Sequence, residues 1–376
     1  MSEPAGIYTH LPYCRSRCGY CAFVVTTDDS SRAAYLAALL REIALVAPEA
    51  QEHRFDSLYL GGGTPSLLPA ADIVALLDDL RGSFPVLPGA EVTLEANPDD
   101  VSPPLAEAWR DAGVTRVSVG VQSFADRELS AVGRRHDSAA AQRALETLGR
   151  AELSISGDLI LGLPEQTAET FAASVRRLCD SGVGHVSVYL LEADKSREIE
   201  EDRKRTPQRY LSDDAQADLW LDLCEKLEAR GFEHYEISNW ALPGQAARHN
   251  VKYWKRTPTL GLGISAHELW RERRRANVSA ISPYVEGLAA GRRPVALDHE
   301  VGSEERARER IVLGLRLAEG VGRGELESWI AGAEDETLLD DYASWRDAGL
   351  LAISHDRVRL TERGFLLSNE ILCRFV

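Results

Sequence analysis

Three cysteines, Cys14, Cys18 and Cys21, stand within eight residues in the stretch HLPYCRSRCGYCAF, while Cys179, Cys224 and Cys373 are scattered. This distribution does not make a paired disulfide framework in a chain of this length, so the cluster reads as a metal ligand set. A tetrahedral zinc site takes four ligands, usually as two separated pairs. An iron-sulfur cubane held by three thiolates leaves its fourth iron open to an exchangeable ligand, and this suits the C-x3-C-x2-C spacing better. Zinc completed by a distant histidine, or a chance grouping of structural thiols, are the alternatives.

Two further stretches carry chemical content. GGGTPS, Gly61 to Ser66, offers a backbone that can approach a small ligand and present its own N–H and C=O groups, with Pro65 stiffening the exit. A plain tight turn reads equally well from this stretch alone. RHNVKYW, Arg248 to Trp254, sets His249 beside Tyr253 and Trp254, an imidazole suited to axial ligation of heme iron among flat aromatic faces. A hydrogen-bonded structural histidine is the plainer alternative. His267 in GLGISAHE is a second candidate, read as structural because the glycines there call for a tight turn.

These residues need elements to position them. Six β-rich runs begin at Gly6, Asp56, Val92, Thr115, Leu153 and His185. Amphipathic stretches separate them at Arg32 to Val46, Ala70 to Gly82, Pro104 to Ala112, Ser138 to Arg150 and Thr167 to Ser181. Such β-α alternation predicts an α/β fold with a parallel sheet, and right-handed crossovers curl it into a barrel or partial barrel. Chemistry then gathers at the C-terminal strand ends, where the cysteine loop follows strand one and the glycines follow strand two. Beyond about Asp298 the pattern changes. Helices over Glu304 to Leu317 and Glu334 to Ala348, a hairpin turning at His355-Asp356 and a final helix opened by Thr361 predict a winged-helix-like module. The expected division is a core barrel over 1–240, a barrel-closing segment and linker over 241–298, and a mostly helical domain over 299–376.

Composition narrows the function. With 59 acidic against 43 basic residues the formal charge is −16, so the average field repels a nucleic-acid backbone and sets aside a zinc-stabilised DNA-binding reading of the winged helix. No signal peptide or apolar run near 18 residues is evident, and a cytoplasmic location is expected. The charged run Asp194 to Arg209 reads as a mobile, solvated excursion from the barrel, with a role in substrate access as the alternative.

The cysteine loop followed by GGGTP resembles the radical S-adenosylmethionine (SAM) superfamily. YTHLPYC, LEANPDD, SVGVQSF, DLILGLPEQT, HYEISNWALPG, RHNVKYW, GLGISAHE and LTERGFLLSNEIL extend the likeness over essentially the whole chain. Together they resemble the oxygen-independent coproporphyrinogen III oxidase-like branch, and within it HemW-type heme chaperones most closely. The resemblance implies a partial (β/α)6 barrel in which Cys14, Cys18 and Cys21 ligate three irons of a [4Fe-4S] cluster. SAM would chelate the fourth iron, and a fourth cysteine would block it. An electron from the reduced cluster would then cleave the sulfonium to methionine and a deoxyadenosyl radical.

By the same likeness Tyr20 packs beside the cluster, Tyr8 lies near the SAM, and Gly62, Gly63, Thr64 and Glu95 surround its methionine portion, the carboxylate suiting an ammonium. Gln122, Arg134 and Asp158 match positions that contact a second SAM in the oxidases, although Glu95 and Arg134 also read as solvated surface charges. His249 matches a motif associated with heme. Two departures from the oxidases, Phe23 in place of a further cysteine and a cysteine loop that begins at residue 14, speak against dehydrogenase activity. The implied partners are a heme-accepting protein, with membrane-associated acceptors among the candidates, and an electron donor such as a flavodoxin or ferredoxin. No nucleic acid is expected.

Overall fold

The computed structural model describes residues 3–333, 335 and 337–376. Six strands, β1 (Ala5–Leu11), β2 (Phe55–Gly62), β3 (Val86–Ala96), β4 (Arg116–Gln122), β5 (Ser154–Leu161) and β6 (His185–Leu190), pair in chain order, all in parallel. Their Val, Ile and Leu content follows from burial on both faces: Ile7, Leu58, Leu94, Val117 and Leu159 are fully buried. Helices Arg32–Ala50, Ala70–Ser83, Pro103–Asp111, Ser138–Arg150 and Ala168–Asp180 make the crossovers. Two of them start on side-chain caps that the sequence supplies. Asp137 accepts from the Ala140 N–H, and Thr167 forms a capping box with Thr170.

Residue contacts group the chain into two compact units, each discontinuous in sequence: one runs to Ser212 and resumes over Pro258–His299, the other combines Asp213–Thr257 with Glu300–Val376. After β6 come β7 (Glu233–Glu236) and β8 (Asn239–Ala241), an antiparallel pair in the second unit. The chain returns with β9 (Thr259–Leu262), which runs parallel to β1 on its free side, and the sheet continues through β10 (His267–Trp270), β11 (Arg273–Asn277) and β12 (Val295–Glu300). The first unit is therefore a mixed α/β sheet built around a partial (β/α)6 barrel.

In the second unit, helices Ser303–Gly314, Arg323–Gly332 and Thr337–Asp347 accompany a small antiparallel sheet of β13 (Val321–Gly322), β14 (Leu351–Ile353) and β15 (Arg357–Leu360) in the order 13-15-14. This is the expected winged-helix-like arrangement, with His355 and Asp356 in the hairpin turn; Glu334, expected to open the third helix, lies outside the described residues. Thr361 caps the helix Glu362–Leu366 through the Gly364 N–H.

The charged run is not a loose excursion. Residues Arg197–Arg205 form a helix capped by Ser196, and Ile199 is 3% exposed in a cluster with Val132, Ile160 and Leu163, against which Tyr20 and Tyr210 pack. One apolar side chain anchors a helix whose other residues are almost all charged, so its average polarity conceals the contact.

Candidate functional site

The cysteine loop leaves β1 and is tied down by backbone bonds at both ends. Cys14 N–H donates to Thr26 O at 2.9 Å, Cys21 N–H to Cys18 O at 3.1 Å, and Gly19 N–H to Val132 O at 3.1 Å. Side chains from other strand ends reach two of the sulfurs. Thr64, following β2, donates its hydroxyl to Cys14 Sγ at 3.3 Å, and Arg134, in the loop after helix Asp126–Ala131, places Nη1 3.6 Å from Cys18 Sγ. Burial, with repulsion from neighbouring thiols behind it, raises the pKa of Cys14; burial also raises that of Cys21. A positive iron centre would reverse that preference and favour thiolates. Among the described residues these three sulfurs are not gathered within 4.8 Å of one another. The donor set, three thiols of which two receive side-chain hydrogen-bond donors, fits a cluster. Tyr20 stands between Cys18 and Cys21 in the chain, packed against the apolar cluster that includes Ile199, and desolvation raises its pKa.

The glycine strand end is shaped for close approach. Gly62 has φ +107°, and a Cβ there would meet the His10 ring at 2.4 Å; one on Gly63 would meet Pro12 C at 2.6 Å. His10 is itself held by Tyr8 Oη at 3.0 Å and by Val24 O at 2.9 Å. Glu95 is not a solvated charge. Its Oε1 accepts from Tyr59 Oη at 2.8 Å and its Oε2 from Gly62 N–H at 3.0 Å, and burial lifts its pKa to about 7. The carboxylate thus sits on the backbone of the glycine turn, and Tyr8, in the middle of β1, reaches toward it through the His10 ring and the Tyr59 ring.

Arg134 likewise points inward. Its Nη2 donates at 2.6 Å to both Asn97 Oδ1 and Gly120 O, while the adjacent Arg135 is exposed beside Asp99. Gln122 closes β4 with φ +65°, a left-handed conformation that costs a non-glycine residue energy and is retained only where surroundings enforce it. Asp158 on β5 accepts from Ser118 Oγ at 3.0 Å and Ser156 Oγ at 3.3 Å, with its pKa raised by burial. Two residues of this constellation escape motif reading. Tyr59 orients Glu95, and Asn97 links Arg134 to the Thr64 hydroxyl at 3.3 Å. Asn97 had a faint signal in the Asn-Pro turn; Tyr59 had none beyond its place on a strand.

His249 lies in the second unit on helix Arg248–Trp254, fully buried. Its Nε2 is 2.8 Å from Tyr253 Oη, and burial, then the charge of Lys252, lowers its pKa to about 3. It is a neutral imidazole whose outer nitrogen faces a phenol. Tyr253 is 39% exposed, and the Arg316 guanidinium lies over the Trp254 ring at 5.6 Å. His267 is exposed at the start of β10.

Parallel barrel, three-cysteine loop and glycine strand end define the class as a radical SAM protein. A model of the radical SAM superfamily matches residues 8–178, and one of the HemN C-terminal domain matches residues 301–367. The heme chaperone HemW of Mycobacterium tuberculosis is 35% identical over 98% of this chain and 94% of its own length, and that of Bacillus subtilis is 31% identical over 98% of each. The chain belongs to the HemW family of this superfamily. Coproporphyrinogen III oxidase (HemN) from Escherichia coli shares the fold, with a TM-score of 0.85 over 100% of this chain and 90% of that one, at 23% identity. Among the described residues no helix is long and apolar enough to cross a membrane.

Proposed function

We propose that this protein is a heme chaperone that carries one [4Fe-4S] cluster on Cys14, Cys18 and Cys21, binds SAM, and passes heme to an acceptor protein in the cytoplasm. Full-length likeness to relatives named heme chaperones carries the reading, and the observation that favours it over the oxidase is Phe23. Phe23 is 69% exposed, at the position where the family resemblance gives the oxidases a further cysteine. When bound, cluster and SAM supply one-electron chemistry at the sulfonium.

The chain's own residues do the positioning. Thr64 donates to Cys14 Sγ and Arg134 to Cys18 Sγ. Tyr8 and Glu95, with the C=O groups of Gly62 and Gly63, would receive the amino-acid end of SAM, the ionised carboxylate suiting its amino group, while the Gly62 and Gly63 N–H groups are given to Glu95 Oε2 and Leu11 O. Gln122, Arg134 and Asp158 frame the interior of the barrel beyond it, and a second SAM would have to compete with the bonds that Arg134 and Asp158 already make. Heme is cargo, and His249 is the proposed iron ligand. Coordination by Nε2 requires the half-exposed Tyr253 side chain to turn away, so Tyr253 acts as the gate of that site. A flavodoxin or ferredoxin would supply the electron.

The test is anaerobic. Reconstituted protein is incubated with heme, and separately with coproporphyrinogen III, SAM and reductant. Heme should bind and move to an acceptor, and no porphyrinogen should be converted. Protoporphyrinogen above a control without protein would replace this reading with the oxidase.

A further inference from the structure

Cys224, His234 and Glu362 converge in the second unit, far from the cysteine loop in sequence and absorbed by nothing above. Cys224 sits on helix Asp213–Glu228, His234 on β7, and Glu362 in the first turn of the helix that Thr361 caps. Glu362 Oε2 is 2.9 Å from His234 Nδ1 and 3.1 Å from Cys224 Sγ, and the three potential ligand atoms all lie within 4.8 Å of one another. Among the described residues no other three His, Cys, Asp or Glu side chains meet that spacing.

We propose that these three side chains form a site for a thiophilic divalent cation, for which zinc is the probe, and that the cation clasps the two sequence segments of this unit together.

The geometry is close to what such a cation asks. Zinc bonds of about 2.3 Å to sulfur and about 2.0–2.2 Å to nitrogen and oxygen, at tetrahedral angles, put ligand atoms about 3.4–3.6 Å apart. The bonds to Glu362 need to open by roughly half an ångström, and its side chain, 44% exposed, is free to do so. The imidazole is already oriented. Its ring stacks on Trp240 at 4.2 Å and 14°, and Phe365 packs against it at 4.9 Å. A fixed histidine lowers the entropy lost on binding.

Charge and protons balance. One carboxylate oxygen lies within hydrogen-bond reach of both the thiol and His234 Nδ1, so with the imidazole as its Nδ1–H tautomer the three side chains together carry a single negative charge. A divalent cation replaces the thiol proton, which leaves to solvent, and the site becomes neutral. The Nδ1 proton moves to Nε2, a buried atom that has no hydrogen-bond partner among the described residues, on a side chain only 8% exposed. Exposure on the Glu362 side leaves the fourth position to water. A Cys-His nucleophile is the rival use of these residues, and the geometry opposes it: the thiol is buried and donates to the carboxylate, not to the imidazole.

The experiment uses the full chain with its cluster reconstituted, so that the N-terminal thiols are engaged. Zinc is added, the protein is desalted, and zinc and iron per chain are measured beside the melting temperature. Wild type should retain one zinc and melt higher with it. Cys224→Ser and Glu362→Gln should each weaken zinc retention by more than the roughly tenfold that an outer-shell change costs, with cluster absorption and far-ultraviolet circular dichroism unchanged. Because Glu362 is partly exposed, Glu362→Gln decides the matter if Cys224→Ser does not fold. Failure of wild type to retain zinc, or equal retention by Glu362→Gln, overturns the proposal.

Discussion

Glu95 should make SAM binding depend on pH in a way that its amide isostere does not. Burial lifts this carboxyl from 4.5 to about 7 even though Tyr59 and the Gly62 N–H bond to it. A native pKa above the unfolded one means that the folded chain keeps the proton longer. The associated stability is fully present below about pH 4.5 and is lost as pH rises through about 7, amounting to at most about 3–4 kcal/mol before discounting the exposed part of the group. Ligand binding runs the other way. An ammonium needs the ionised form, and a carboxylate with about four lone-pair positions still has two to offer beyond those used by Tyr59 and Gly62. Affinity should therefore climb with pH and level off above about 7. At about pH 6 roughly a tenth of the carboxyl is ionised, so binding should be about tenfold weaker than on the plateau, or about 1.4 kcal/mol. Equilibrium dialysis of labelled SAM against the reconstituted protein, from about pH 5.5 to about pH 8, reads this directly. Glu95→Gln should bind weakly and flatly over that range and, without SAM, melt higher than wild type at its alkaline end. A flat wild-type profile, or the same slope in Glu95→Gln, would refute the assignment.

Replacing any one of Cys14, Cys18 or Cys21 with Ala should abolish visible cluster absorption after anaerobic reconstitution, whereas Cys179, Cys224 and Cys373 should be dispensable for it; a scattered cysteine proving equally necessary would end the three-thiolate assignment. Arg134→Met leaves Asn97 Oδ1 and Gly120 O without their donor and should lower stability by about 1.5–3 kcal/mol in denaturant titration, while the cluster is lost faster; unaltered cluster lifetime would reduce the residue to a scaffold. Ile199→Ala should loosen its helix by about 2–4 kcal/mol and quicken bleaching of the cluster in air, because Tyr20 loses its cover; bleaching at the wild-type rate would contradict that packing. His249→Ala should weaken heme binding and shift the Soret band with the cluster spectrum intact, and Tyr253→Phe should preserve or strengthen binding. If Tyr253→Phe instead lowers heme affinity and melting temperature together, His249 is a structural histidine.

What the sequence makes legible here is what lies close together along it. The three thiols, the glycine run and the capped crossover helices are local, and the strand-helix alternation fixes their order, so barrel and cluster loop follow from pattern alone. The partners come from register. Tyr59 pairs with Thr93 across β2 and β3, which brings the Gly61 and Glu95 strand ends side by side and lets a tyrosine and a peptide N–H bond to one carboxylate. A parallel register is set by packing over the whole sheet, and no residue within a few positions of Glu95 announces it. The same holds for Arg134: an Arg-Arg pair after a short helix looks solvated, and only the fold decides that one guanidinium turns toward Cys18 and the other toward water. Ile199 is the sharper case, because a single apolar residue among charges falls below any periodicity test. It is buried with Val132, Ile160 and Leu163, and Tyr20, which lies 179 positions earlier and is placed by the cysteine loop, packs against the same cluster. The cluster loop and the charged helix thus order one another: Ser196 donates to Gly19 O, Tyr20 packs against the apolar cluster that Ile199 completes, and losing either contact should free the loop that holds the thiols.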